Sequence, residues 1–109
     1  YTEVDTLSLH DALPISVTTQ PAALTEVVEG SISGSLSVVA STNTSYPVTY
    51  QWYENTIDST TGGTAINGET SASFDIPTDL IAGSYYYYCV LSSVGASAVK
   101  TNVATVTVS

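Results

Sequence analysis

Apolar and polar residues alternate in short runs along most of this chain, and glycine, proline or asparagine separates the runs. In the clearest run, positions 32, 34, 36, 38 and 40 share one face, and four serines and Val39 share the other. An alternation with a period of two predicts a β-strand that buries one face. Helical periodicity is weak throughout, so the pattern favours an all-β fold.

The same alternation predicts further strands at 16–20, 24–29, 48–53, 72–76, 84–93 and 98–108. The second of these is expected to continue the first past a kink at Pro21, and residues 78–83 are expected to cross between sheets. Residues 55–68 contain Gly-Gly and Asn-Gly pairs, which predict a turn-rich excursion with at most a short edge strand. In the last strand, either Val103 and Thr105 or Ala104, Val106 and Val108 face inward. About seven strands in two antiparallel sheets, a β-sandwich, are predicted.

The first fifteen residues need a separate interpretation. Apolar residues at positions 7, 9, 13 and 15 favour a strand. However, the run from Thr6 to Ile15 matches, residue for residue, a translation of the sequencing-adapter DNA ACT CTT TCC CTA CAC GAC GCT CTT CCG ATC. We therefore interpret residues 1–15 as an adapter-derived or mis-assigned segment and exclude it from functional reasoning. The domain is expected to occupy residues 16–109.

Charge narrows the choice of partners. Residues 16–109 contain seven acidic residues and a single base, Lys100. Nucleic acid and anionic membrane surfaces attract clustered Lys and Arg, so neither is an expected partner. No apolar run is long enough to cross a bilayer. Serine and threonine provide 33 of the 109 residues, and a surface rich in hydroxyls and carboxylates favours an extracellular or cell-surface location.

Several motifs resemble the immunoglobulin fold. Trp52 lies fourteen residues after Val38, and the segment AGSYYYYC occupies positions 82–89. In that family a Trp on strand C packs on a disulfide between strands B and F, and a Tyr near the second Cys forms a corner hydrogen bond. More narrowly, VTYQWY at 48–53, GTAI at 63–66 and FDIP at 74–77 resemble bacterial Ig-like repeats of large surface and secreted proteins.

The resemblance implies roles for five core residues. The strand-B Cys of the family falls on Val38, so no intramolecular disulfide can form, and Cys89 is expected to be an inert thiol packed between Val38 and Trp52. Without this disulfide, the domain lacks roughly 2–4 kcal/mol of stabilisation. The family's spacing from the glycine selects Tyr85 as the corner residue, whereas its spacing from the Cys selects Tyr87. We favour Tyr85 for the corner and place Tyr87 in the core.

No catalytic constellation is visible, so an enzyme is not predicted. The chain's only His belongs to the adapter-like segment, and Cys89 has no neighbouring cation to activate it. No cofactor or metal site is predicted, although calcium at a junction between modules would fall on Glu29 or Asp79. Asn43 begins an Asn-Thr-Ser acceptor for N-glycosylation, which is either modified or an unmodified polar turn.

The outward positions of two neighbouring strands place Tyr53, Tyr86 and Tyr88 on one sheet face. Tyrosine rings suit contacts with proteins or sugars, but they also support a sheet by pairing across strands. The leading hypothesis is a non-enzymatic structural or adhesive module, either a repeat in a bacterial surface protein or a subunit of a fibre that assembles head to tail. Its partners are neighbouring modules or copies of itself. The alternative is a carbohydrate-binding module that uses the three tyrosines.

Overall fold

The computed structural model describes residues 15–42 and 46–109, so Asn43 and the first fourteen residues lie outside the described part of the chain. The described residues form ten strands and no helix, which confirms the all-β prediction. The strands are β1 Ile15–Thr19, β2 Leu24–Val27, β3 Ser35–Ser37, β4 Val39–Thr42, β5 Thr49–Asn55, β6 Thr64–Ala65, β7 Ser73–Asp75, β8 Gly83–Ser93, β9 Ala96–Lys100 and β10 Ala104–Val108. No helix in this part of the chain could cross a bilayer.

The largest sheet has the strand order β2-β10-β8-β5-β6, and β9 also pairs with β8. The strand pairs β1–β4 and β3–β7 form two small sheets. All pairings are antiparallel except the one between β2 and β10, which is parallel. The expectation that residues 24–29 continue the first strand is wrong, because β1 and β2 pair in different sheets on either side of the buried Pro21.

Two of the predicted strands are each divided, and this accounts for much of the difference between ten strands and about seven. Residues 35–42 pair first with β7 and then with β1, and Val38 lies between the two pieces. The division between β9 and β10 lies at Thr101. The backbone N–H of Thr101 donates to the Cys89 carbonyl, and the Thr101 hydroxyl accepts a hydrogen bond from the Cys89 N–H, each at 2.9 Å. Ala104, Val106 and Val108 are buried, so this set is the inward face of the last strand.

Apolar residues of the large sheet and of the two small sheets share one buried cluster. At its centre, the Phe74 ring lies 5.7 Å from that of Trp52 and 5.1 Å from that of Tyr87, measured between centroids. Ile15 is buried in the same cluster, so the first strand starts at the last residue of the adapter-like segment. This core fixes which residues of β5 and β8 remain outside it.

Candidate functional site

The four consecutive tyrosines of β8 point alternately to the two faces of the large sheet, as the pleat of a strand requires. On the core face, the Tyr85 hydroxyl donates to the Ile81 carbonyl at 2.7 Å, so Tyr85 makes the corner bond. Tyr87 is buried beside Phe74. Burial, and secondly the negative charge of Glu54, raises the pKa of Tyr87 to about 12. The Tyr87 hydroxyl is therefore protonated at physiological pH.

Cys89 and Trp52 face each other across β8 and β5, and both are fully buried in the cluster that also contains Val38. The Trp52 indole N–H donates to the Ser71 carbonyl at 2.7 Å, which satisfies its buried polar atom. Cys89 is a free thiol, and burial raises its pKa from 9.0 to about 11. A thiol with this pKa carries almost no thiolate at neutral pH and is a poor nucleophile.

On the opposite face of the sheet, Tyr53 and Tyr88 are paired across the strands and their rings stack. The centroids are 5.2 Å apart and the ring planes differ by 6°. This is the cross-strand pairing that supports a sheet. Tyr86 pairs with Asn55 at the next outward position of β8, so it lies on the same face nearer the end of β5.

The expectation that Tyr88 is exposed on this face is wrong, because the loop between β5 and β6 covers it. Tyr88 is only 3% exposed. A Cβ atom built on Gly63 would lie 2.6 Å from the Tyr88 hydroxyl oxygen, so only glycine permits this close approach. The Lys100 ammonium lies 5.8 Å from the centre of the Tyr88 ring and donates to the Thr60 carbonyl at 2.7 Å. Lys100 therefore holds the loop over the ring.

The covering loop, residues 56–63, is organised by one side chain at the end of β5. The Asn55 amide donates to the Ser59 carbonyl at 2.9 Å and to the Thr61 carbonyl at 3.0 Å, and its oxygen accepts the Thr56 N–H at 2.8 Å. These hydrogen bonds fix the shape of the loop, and no apolar side chain of the loop itself is buried. Of the three outward tyrosines, only Tyr53 and Tyr86 remain partly exposed.

A cleft of about 420 Å³ opens where β5 ends and the loop leaves the sheet. Its lining includes Tyr86, Tyr85, Glu54, Asn55 and Thr64. This volume falls within the range of small-molecule sites. Among the described residues that line it, Glu54 alone is charged, so the cleft suits a neutral or cationic ligand with hydroxyl groups better than an anion. Sequence reasoning placed Tyr86 on the outward face and Tyr85 at the corner, and it missed Glu54, Asn55 and Thr64, because alternation does not show where a strand stops pairing.

Calcium at a junction between modules, on Glu29 or Asp79, stays a prediction, because one copy contains only one side of such a junction. Within residues 15–42 and 46–109, no group of three His, Cys, Asp or Glu side chains is placed to hold a metal ion. A Glu29 carboxylate oxygen instead accepts the Ala82 N–H at 2.9 Å and joins the loop after β2 to the loop before β8.

Two apolar corners of the molecule were also missed. Ile81 is 67% exposed beside Ala82, and Val94 is 65% exposed in the β8–β9 turn. The sequence signal that could have found them is an isolated apolar residue within a predicted turn.

Comparison of the chain with protein-family models finds no match, and comparison with curated proteins finds none either.

Proposed function

We propose that this chain is an immunoglobulin-like β-sandwich module with a structural or adhesive role in a bacterial extracellular or cell-surface protein. The observation that carries the proposal is the joint placement of Trp52, Cys89 and Tyr85. Trp52 and Cys89 pair at the centre of the core, and Tyr85 makes a hydrogen bond back to the preceding segment, as in the immunoglobulin fold. β1 and β2 also lie in separate sheets, which suits two facing sheets.

The chemistry of the described residues supports a non-enzymatic role. The buried thiol is protonated at neutral pH, and burial together with the negative charge of Glu54 keeps Tyr87 protonated as well. The surface is hydroxyl-rich and has a single Lys. Function is therefore expected to depend on shape and surface, as in a spacer or adhesive module.

The positions of the first and last described strands suit a tandem array or a head-to-tail fibre. Ile15 pairs with Thr42 at one end of the molecule. Val108 pairs with Gly83 at the opposite end, and the Ser109 N–H donates to the Val27 carbonyl there. Copies joined in this order would follow one another along a single direction.

The test is to read the unassembled DNA on both sides of the coding segment in its source. We expect further Ig-like modules in the same reading frame and an export signal in the complete gene. A catalytic domain in a gene without any export signal would overturn the proposal.

A carbohydrate-binding role is the second candidate, and the cleft beside Tyr86 favours it. Binding of neutral oligosaccharides on a glycan array should be lost in Tyr86→Ala and kept in Tyr46→Ala, which removes an exposed tyrosine outside the lining of this cleft. Equal binding by both variants, or none by the unaltered chain, would reject this site. Tyr88 is not a useful target because its removal would disturb the loop that packs on it.

A further inference from the structure

The described charges are distributed unevenly between the two ends of the molecule. Acidic residues gather at one end, where β2, β5, β7 and β10 finish and β8 begins. Asp58 lies in the loop that leaves β5 there, and the others are Glu26, Glu29, Glu54, Asp75 and Asp79. We call this the acidic end. Hydrogen bonds from the Glu29 N–H to the Ser109 carbonyl and from the Ala82 N–H to the Glu29 carboxylate join its loops. Val28 and Ile81, 57% and 67% exposed, form an apolar corner there.

The opposite end carries no charged residue in the described segments 15–17, 41–42, 46–49 and 91–97. We call it the neutral end. It is held together by the Thr49–Ser92 pair and by the Ser93 hydroxyl, which donates to the Tyr46 carbonyl at 3.3 Å. A cleft of about 310 Å³ lies here, lined by Pro47, Thr49, Ser92, Ser93 and Val94. Tyr46 and Val94 are 53% and 65% exposed beside it.

We propose that the neutral end of one copy binds the apolar corner of a second copy's acidic end, so that Ile81 of that copy enters the cleft beside Val94. This inference rests on the proposed role as a module of an array or fibre and names its contact surface. Ile81 is an exposed side chain on a loop, whereas the neutral end has a cleft, so the two surfaces are of different kinds.

Charge opposes a contact between two acidic ends. Two acidic ends in contact would bring at least ten carboxylates together, which electrostatic repulsion opposes. The described residues of the neutral end bring no like charge to an acidic end. Because such a contact is heterologous, each copy keeps one unused surface of each kind, and the assembly can continue along one direction.

The test uses two full-chain variants, Ile81→Cys and Val94→Cys, each altered at an exposed position that should tolerate the change. Mixed in equal amounts and oxidised, they should give disulfide-linked heterodimers in several-fold excess over the homodimers formed by either variant alone. The double variant should give a ladder of oligomers on a non-reducing gel. Cys89 is fully buried, so the unaltered chain provides the background.

The matched control uses Val39→Cys in place of Ile81→Cys. Val39 lies on β4, away from both corners, and its side chain is 54% exposed. Mixing Val39→Cys with Val94→Cys should give no excess of heterodimer. An equal yield with the two partners would overturn the proposed contact. A dominant Val94→Cys homodimer would overturn it as well, since it would indicate neutral ends that meet head to head.

Failure of this contact is distinguishable from failure of the proposed function. If the gene encodes neighbouring Ig-like modules, the proposed module role is supported whatever the crosslinking shows. If the Ile81–Val94 crosslink is then absent, only the proposed end-to-end contact is rejected. Those modules would then be connected by their linkers alone.

Discussion

At the scale of single residues, Cys89 shows how the core sets the chemistry of a side chain. The thiol is fully buried opposite Trp52, and burial raises its pKa from 9.0 to about 11. A group whose pKa is raised by folding binds its proton more tightly in the native state. Its contribution to stability is complete below pH 9 and is lost as the pH rises toward 11.

We therefore expect the free energy of unfolding to fall in alkaline solution through Cys89. Over the interval from pH 9 to pH 10, this thiol alone should remove about 1 kcal/mol, because the unfolded thiol ionises and the native one does not. The measurement is urea unfolding of the chain and of Cys89→Ala at pH 8, 9 and 10. The difference in stability between the two proteins should shrink across this range.

Tyr87 acts in the same direction at higher pH, since its pKa is raised from 10.0 to about 12. It is present in both proteins and cancels when they are compared. A constant difference between the chain and Cys89→Ala from pH 8 to pH 10 would show that the native thiol ionises as readily as the unfolded one.

At the scale of elements, the loop 56–63 shows how a short connection can hide a sheet face. Its bonds are mostly its own, and Lys100 provides a side-chain link from β9 to the Thr60 carbonyl. The Lys100 side chain also crosses the Tyr88 ring. The single Lys of the chain is therefore a positioning residue for the loop.

We expect Lys100→Met to release the loop from Tyr88 while the apolar stem remains. One exposed hydrogen bond contributes about 0.5–1.5 kcal/mol, so the fold should persist with a small loss of stability. Exposure of Tyr88 should rise, which can be measured as faster nitration of this residue by mass spectrometry.

Lys100→Arg is the matched control, because it keeps a cationic donor at the same position. Nitration of Tyr88 in Lys100→Arg should stay close to that of the unaltered chain. If Lys100→Met leaves Tyr88 equally protected, the packing of Gly63 is sufficient to hold the loop and Lys100 has no positioning role.

The loop also marks the limit of what the sequence predicts. The inward residues Leu36, Val38, Cys89 and Leu91 are readable because burial on one face imposes a period of two on the sequence. Tyr88 has the outward parity and is nevertheless buried, because its cover comes from a loop whose path depends on Asn55 and Lys100. Parity shows on which face a residue lies, and only tertiary contacts show whether that face is open.

The local pattern of apolar and polar residues does not predict which strands pair either. Residues 98–108 alternate almost continuously, yet the strand divides at Thr101, where a side chain replaces a backbone partner. The cleft beside Tyr86 arises because β5 stops pairing with β8 at Asn55. These features depend on which strands are neighbours, and a single sequence does not encode that in its spacing.

At the scale of the whole molecule, folding gathers acidic residues that are dispersed in the sequence. Positions 26, 29, 54, 75 and 79 come together because five strand ends meet at one end of the molecule. The sequence shows the excess of acids, but its distribution between the ends follows from topology. The gathered charges repel one another more in the native state than in the unfolded chain.

We therefore expect salt to stabilise this molecule by screening the acidic end. Raising sodium chloride from about 0.01 M to about 0.15 M shortens the screening length from about 30 Å to about 8 Å. If the repulsion removed is about 1 kcal/mol, the melting temperature should rise by about 4–8 °C for a domain of this size. Asp79→Asn should reduce this rise in melting temperature. Glu69 lies between the two ends, so Glu69→Gln should preserve the rise.

Calcium chloride at matched ionic strength separates screening from calcium binding, because screening predicts the same rise in melting temperature with either salt. An equal rise in both variants would show that net charge, and not the gathering of acids at one end, determines the salt dependence.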